Sequence, residues 1–532
     1  MSNINLIQNK GFIWYANKTV FVKGCFFDSE NNFYEKSLMP DFFSDIKNEN
    51  DFISRIKKIN GIFTILVNTG NLIMTACDTS RIFPLFYTFE KNEVLLSDDI
   101  LFLKERKNLK KLNEKAKIEF KTAAHTLGNK TLVKNIFQTQ SNEYLIFKNG
   151  QLFKNGFFFS YSSDKQNPAP YETLKTQAIS VFDNAFKRLI VSLNNRPVVL
   201  PLSGGFDSRL IAVMLKKYNY QNVTCFTFGK KNNFEVNNSK KTADALHYKW
   251  IFIEYTDDLF QNYIDTEIFK EYVHYAGKYS SMPFLQEYFA VKYLKENKLI
   301  ADNSVFIPGH SGDLLGGSQL VKVVSKNIKH TKISDLILKK KFFYNSISRT
   351  EKNRIKKTVE SNLRSFDSEY EKKAAYTVFE DCDIKEKLAK VIFNSTSVFN
   401  FFGYEQRFPF WDKELLMFFK TVPFEDKKMK KLYDDILKNY YFKMYKVNFE
   451  KEIQPSQFLI YLQKIKNYLK PVLPYFLRKK QLIKNDWKNY KEITDRMLAF
   501  AEKNQLPINK KINKYNEIII QWYLLYVNEL IK

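Results

Sequence analysis

The sequence predicts two successive architectures. A β-rich N-terminal part is followed by an α/β domain on a parallel sheet, which carries a helical extension at its C-terminal end. Three observations predict this. Residues 1 to about 160 hold short apolar runs punctuated by turn residues. From about Tyr171 apolar runs alternate with helical periodicity. Beyond about residue 330 the pattern is helical and rich in lysine. With 532 residues, 44% hydrophobic and 16% aromatic, the chain can hold two or three domains with sizeable cores and is not a mostly disordered protein.

In the N-terminal part the runs 19–22, 62–67, 72–76 and 94–96 read as strands, with Asn68, Gly70 and Asn92 as turn residues. The polar stretch SYSSDKQNPAP at 160–170 has linker composition. It sets the expected domains at 1–165 and 166–532. Helical periodicity then covers 171–193. A strand at 197–202 leads through a glycine turn into a helix at 207–217. A strand at 222–228, a helix near 237–246 and a strand at 250–253 follow. A further strand at 304–307 also ends in glycines. Strands alternating with helices of this length imply a parallel sheet.

Lys and Arg number 84 against 57 Asp and Glu, a net charge of +27. The excess suits an anionic partner. Compositional drift with a solvated surface is the favoured reading, because lysine is abundant throughout. Cys25, Cys77, Cys225 and Cys382 are far apart and form no CxxC pair, so neither a zinc site nor a disulfide framework is expected. The first residues lack the continuous apolar core of a signal peptide, and the longest apolar-rich stretch, 518–527, is about half of a bilayer span. The expectation is a cytoplasmic protein without a transmembrane segment.

The chemistry is concentrated in 198–210, VVLPLSGGFDSRL. An apolar strand opens into two adjacent glycines and then a helix. Glycines let the backbone turn tightly and approach a ligand. Ser203 and Ser208 place hydroxyls beside exposed amides, and the helix N-terminus adds free N–H groups and partial positive charge. Together these make an anion cradle suited to phosphate. Asp207 would repel phosphate, so it reads as a magnesium ligand or a helix cap. No GxxxxGK[ST] string is present.

This strand–SGGFDS–helix string resembles the pyrophosphate (PP) loop of the N-type ATP pyrophosphatases. Two later strings resemble one branch of them, the asparagine synthetase family. Residues 306–317, FIPGHSGDLLGG, are similar to its GEGxDExxGG motif, and 405–413, EQRFPFWDK, to its EVRVPFLDK string. Glu235 and residues 225–229 and 243–246 match the elements that hold adenine there. The resemblance implies an adenine-nucleotide α-hydrolase-like fold for the second domain. It implies ATP and Mg2+ as cofactors, with Leu202, Ser203, Gly204, Gly205, Asp207, Ser208, Phe228, Gly309 and Asp313 at ATP and pyrophosphate. Asp207 and Asp313 are then the metal ligands. Lys431 stands where the family places a lysine near the reaction centre.

Residues 60–63, 77–87 and 96–98 resemble the family's glutaminase domain, which implies an α+β Ntn-hydrolase-like sandwich for the N-terminal half. That domain works through a cysteine directly after the initiator methionine. Here Ser2 stands in that place, so the expectation is a retained scaffold without glutamine hydrolysis.

In the synthetase half His310 replaces a glutamate, Leu314 replaces a second one, and an RxK element is missing near 449–458. At its ordinary pKa His310 could deprotonate an amine, or it could only pack. The implied function is an AMP-forming carbon–nitrogen ligase. It would activate a small-molecule or saccharide carboxylate as an acyl-adenylate and pass it to ammonia or a substrate amine. Asparagine synthesis from aspartate and a degenerate nucleotide- or partner-binding protein stand as alternatives. No nucleic-acid partner is expected, and the resemblance admits a homodimer.

Overall fold

The computed structural model describes residues 3–320, 324–449 and 475–531. In the N-terminal half, β1 is Ile4–Asn5, β2 Trp14–Ala16, β3 Val20–Phe27, β4 Phe33–Glu35, β5 Asn60–Asn68 and β6 Leu72–Cys77. They are followed by β7 Phe86–Glu90, β8 Glu93–Ser97, β9 Phe137–Gln138, β10 Glu143–Lys148 and β11 Gln151–Phe157. One sheet runs β11–β10–β6–β5–β3–β2, with β4 also on β3; the other runs β1–β8–β7–β9.

Period-two alternation packs the two sheets face to face. Leu66 of β5 and Leu145 and Phe147 of β10 meet Tyr87, Val94 and Leu96 of the second sheet. Phe63, Ile65 and Val67 turn the other way, onto Phe52 and Ile56 of the helix Glu49–Ile56. On the outer face of the second sheet, Phe86 and Leu95 pack with Ile100, Leu103 and Phe120 from two further helices. The layers are therefore helix, sheet, sheet, helix. The predicted runs 62–67, 72–76 and 94–96 lie in strands, and 19–22 falls at the start of β3, which begins at Val20 and extends to Phe27.

The stretch 160–170 is no free linker at its start. Tyr161, Ser162 and Ser163 are buried. The Tyr161 N–H donates to Asp381 Oδ1 at 2.6 Å and the Ser163 N–H to Thr377 Oγ1 at 3.0 Å. The chain turns outward only from Asp164.

Next come α1 Tyr171–Leu193, β12 Val198–Pro201, α2 Phe206–Lys217, β13 Val223–Gly229, α3 Phe234–Leu246, β14 Lys249–Glu254, β15 Val305–Phe306 and β16 Glu405–Gln406. The second sheet system is five-stranded and parallel, in the order β14–β13–β12–β15–β16. Val198, Leu200, Val223, Cys225 and Val305 face one core; Val199, Phe226, Phe228 and Phe306 face another. Burial on both faces explains why these strands read as continuous apolar runs.

The C-terminal helices include α4 Ala375–Asp383, which continues as a π-helix over Ile384–Ile392, then α5 Lys431–Ile436, α6 Tyr490–Lys503 and α7 Asn516–Ile531. The apolar stretch 518–527 lies in α7, with Ile518, Ile519, Tyr523 and Val527 in the core. No helix among the described residues is long and apolar enough to cross a membrane. The basic pair Lys479 and Lys480 is solvent-exposed.

The two halves share cores. Phe12, Cys25, Ile62 and Phe83 sit in the cluster that holds Leu200 and Ile211. Asn60 Nδ2 donates to Asp412 Oδ2 at 2.8 Å, and Arg188 forks onto the same carboxylate at 2.7 and 2.8 Å. Asp412 also caps its helix, accepting from the Glu414 N–H at 2.9 Å. Four buried ion pairs line α4 and its continuation: Glu380–Lys427, Asp381–Lys385, Asp383–Lys341 and Glu386–Lys390. Lys390 Nζ also donates to the carbonyls of Thr126 and Gly128, across the seam.

Removing one member of such a pair leaves an uncompensated buried charge. Lys427 and Glu380 are both 0% exposed, so Lys427→Met should cost about 3–5 kcal/mol in chemical denaturation. Replacing Glu380 by leucine as well should recover most of the loss.

Candidate active site

In the parallel sheet the order reverses between β12 and β15, so the chain leaves their carboxyl ends in opposite directions. Such a switch point opens a crevice for ligands. A cleft of about 780 Å³ lies there, and both glycine-rich loops line it.

The first loop is held by its own hydroxyls. Ser208 Oγ accepts the Ser203 N–H at 3.0 Å and lies 3.0 Å from Ser203 Oγ, which accepts the Gly205 N–H at 3.1 Å. The Gly204 N–H donates to Glu235 Oε2 at 2.5 Å, and Arg209 Nη2 donates to the Gly204 carbonyl at 3.2 Å. Thr227 Oγ1 donates to the Leu202 carbonyl at 2.6 Å. Gly205 caps α2 in an extended conformation, leaving the first-turn amides facing the cleft.

The second loop meets the first almost without clearance. A Cβ on Gly309 would stand 2.7 Å from the Ser208 nitrogen, and one on Gly312 would stand 3.0 Å from Asp207 Cγ. The loop is further bent by Ser311 in the left-handed region, φ 59°. Asp207 is the joint. Its Oδ2 accepts the Asp313 N–H at 2.9 Å and its Oδ1 accepts the Tyr433 hydroxyl at 2.9 Å. Burial and the neighbouring Asp313 carboxylate push Asp207 up to about 7. Two neighbouring carboxylates at the mouth of a phosphate-type loop fit a divalent metal. Among the described residues no group of three or more His, Cys, Asp or Glu could hold one. A magnesium ion here would take phosphate and water oxygens besides Asp207 and Asp313, which is its ordinary habit.

The structure brings Leu202, Ser203, Gly204, Gly205, Asp207, Ser208, Phe228, Gly309, His310 and Asp313 to this one cleft, together with Glu235. It does not bring Lys431 there. Lys431 is 55% exposed and its Nζ pairs with Asp426 Oδ1 at 2.7 Å, outside the cleft. The preceding residue, Lys430, lines the cleft instead. The reason is a kink in which Met429 and Lys430 are both left-handed, φ 53° and 66°, turning the two lysines to opposite sides. Lys438, one helical stretch further on, also lines it.

His310 departs from the ordinary imidazole expected of it. Burial pushes it down to about 4, so it is neutral at pH 7. Its Nε2 lies 3.2 Å from Ser395 Oγ, its carbonyl accepts from Trp411 Nε1, and its Nδ1 is buried without a partner.

The sequence reading also missed Tyr433 and Arg209, which pin the loops, and Glu287, Trp487 and Lys488, which wall the cleft. Arg209, directly after the SGGFDS string, was the one with a local signal. The RxK element falls largely on 450–458, outside the described residues.

Residues 179–441 match the family model for asparagine synthase. This segment belongs to the asparagine synthase family. In general class it is an ATP-dependent, amide-forming ligase. No curated protein matches the chain. Among solved structures it is similar to the NH3-dependent NAD synthetase from Campylobacter jejuni subsp. jejuni NCTC 11168 in complex with the nitrate ion. The identity is 17%, covering 42% of this chain and 96% of that one, with a TM-score of 0.21, too low to bear on the fold.

A histidine whose folded pKa lies near 4 contributes stability above its unfolded value of about 6.5 and loses it as pH falls through 4. His310→Gln should therefore be less acid-sensitive than the natural protein. Denaturant midpoints at pH 7 and pH 4.5 should converge or cross between the two, whereas parallel shifts would place the proton elsewhere.

Proposed function

We propose that the cleft binds MgATP and activates a substrate carboxylate as an acyl-adenylate. The carboxylate oxygen bonds to the α-phosphorus as the bond to pyrophosphate breaks. An amine nitrogen then attacks the acyl carbon, AMP leaves with the electron pair of the C–O bond, and the amine proton passes to solvent. The observation that carries this reading is the joint between the two glycine-rich loops, the Asp313 N–H on Asp207 Oδ2 at 2.9 Å, at the switch point of the sheet.

The α2 first-turn amides and the Ser203 and Ser208 hydroxyls would take the pyrophosphate. Asp207 and Asp313 would hold magnesium, whose charge offsets that of the departing pyrophosphate. Lys430, facing the cleft, is placed to stabilise charge on the α-phosphate, the role the family resemblance implies for Lys431. Neutral His310 offers its free Nδ1 as an acceptor that would orient the amine N–H. With a conjugate acid near 4 it would not keep the proton.

The N-terminal half reads as an Ntn-type scaffold without glutamine hydrolysis, in keeping with its helix–sheet–sheet–helix layers. Its Asn60 uses both ends of its amide to dock the other half: Nδ2 on Asp412 and Oδ1 under the Lys413 N–H at 2.9 Å. Ser2 lies outside the described residues. Nitrogen would then come from free ammonia or from a substrate amine, and the acceptor would be a small-molecule or saccharide carboxylate.

AMP and pyrophosphate release from MgATP, with ammonia or glutamine and a panel of carboxylates, tests the reading. Asparagine formed from aspartate would instead identify the aspartate branch. Asp207→Ala should lower AMP release at least a hundredfold with the fold intact, and near-normal turnover would overturn the assignment. Lys430→Met should fall comparably, while Lys431→Met stays within about twofold.

A further inference from the structure

Among the described residues, four that line the cleft lie outside the asparagine synthase region: Asn448, Phe449, Trp487 and Lys488. Trp487 and Lys488 lie in the C-terminal extension, between the helix Tyr475–Lys484 and α6. Their turn is clamped onto the end of β13. The Trp487 carbonyl accepts the Lys230 N–H at 2.7 Å, and Asn489 Nδ2 donates to the Tyr255 carbonyl at 3.0 Å. Asp486 accepts the Tyr490 and Lys491 N–H groups at 2.8 Å each. Gly229 makes room for it: its φ is +131°, and a Cβ there would stand 2.8 Å from the Trp487 carbonyl oxygen. A segment held this firmly at a ligand cleft places its side chains reproducibly.

Lys488 Nζ stands 4.5 Å from the Trp487 ring and 5.9 Å from the Phe228 ring. Neither a hydrogen bond nor an ion pair within 4 Å reaches it among the described residues. Glu287 lines the same cleft, and its Oε2 is shielded from solvent with no hydrogen-bond partner. Glu287 Oε2 is without a hydrogen-bond partner, and Lys488 Nζ is met only by the two rings and by the field of the Glu287 and Glu235 carboxylates, so each has hydrogen-bonding capacity left for a ligand. With the phosphates on the loop after β12, a bound nucleotide lays its base across the strand ends towards β13. Phe228 and Trp487 flank that space with flat apolar faces.

We propose that Glu287 and Lys488 read the edge of the nucleotide base, so that the C-terminal extension takes part in choosing the nucleotide. Adenine presents an amino donor beside a ring-nitrogen acceptor. Glu287 Oε2 accepts from the amino group and Lys488 Nζ donates to N7, an acceptor that hypoxanthine shares. Hypoxanthine carries a carbonyl oxygen where adenine has the amino group, and would set an acceptor against the Glu287 carboxylate. This rests on the nucleotide reading of the cleft given above.

Calorimetric titration of the full chain with ATP and with ITP tests it, each variant being checked by its melting curve. The natural protein should bind ATP at least tenfold more tightly than ITP. Glu287→Ala should erase that preference, and Lys488→Met should weaken both nucleotides about tenfold. Should Glu287→Ala fail to fold, Glu287→Asp, which withdraws the carboxylate by one methylene, should narrow the preference in its place. An unchanged ATP-to-ITP ratio in the Glu287 variant together with unchanged affinity in Lys488→Met overturns the inference. If the natural protein binds ATP without preference over ITP, the inference alone falls. If it binds neither nucleotide, the nucleotide reading falls with it.

Discussion

One buried carboxylate organises the site. Asp207 sits at the start of α2, yet the groups that satisfy it come from the loop after β15 and from α5, more than a hundred and more than two hundred residues away in sequence. Both donors are neutral dipoles, so the negative charge is oriented and only partly compensated. That explains why the surroundings are so tight. Gly309 and Gly312 are where they are because the Asp207 turn leaves no space for a side chain. The switch-point topology supplies the crevice, and the carboxylate fixes how far apart its two lips stand.

What the sequence revealed was local. The helix at 171–193, the strand–SGGFDS–helix unit and the glycines after β15 are each specified by neighbours a few residues apart, and each was legible. Long-range features were not. β16 is two residues long and forms only because β15 offers it an edge. The ion pairs along α4 belong to no motif in the string, and tertiary packing buries them. The stretch at 160–163 has linker composition, but hydrogen bonds to α4 pull it inside.

The same distinction governs the site. Adjacent lysines at 430 and 431 are indistinguishable by pattern, and the kink that separates them is a backbone conformation nothing in the string announces. His310 carries its ordinary proton affinity on paper, whereas burial removes it. Glu287, Trp487 and Lys488 belong to no motif and reach the cleft only through the path of the folded chain.

The shared cores make the two halves one cooperative body. Phe12, Cys25, Ile62 and Phe83 complete an apolar cluster that the parallel sheet starts and does not finish. A fragment beginning near residue 166 would be born with that flank uncovered. The N-terminal half thus behaves towards the ligase half as one subunit of an obligate dimer behaves towards the other. It is a partner supplied in cis, tethered at the right stoichiometry, whose loss would be felt as insolubility before it was felt as lost chemistry.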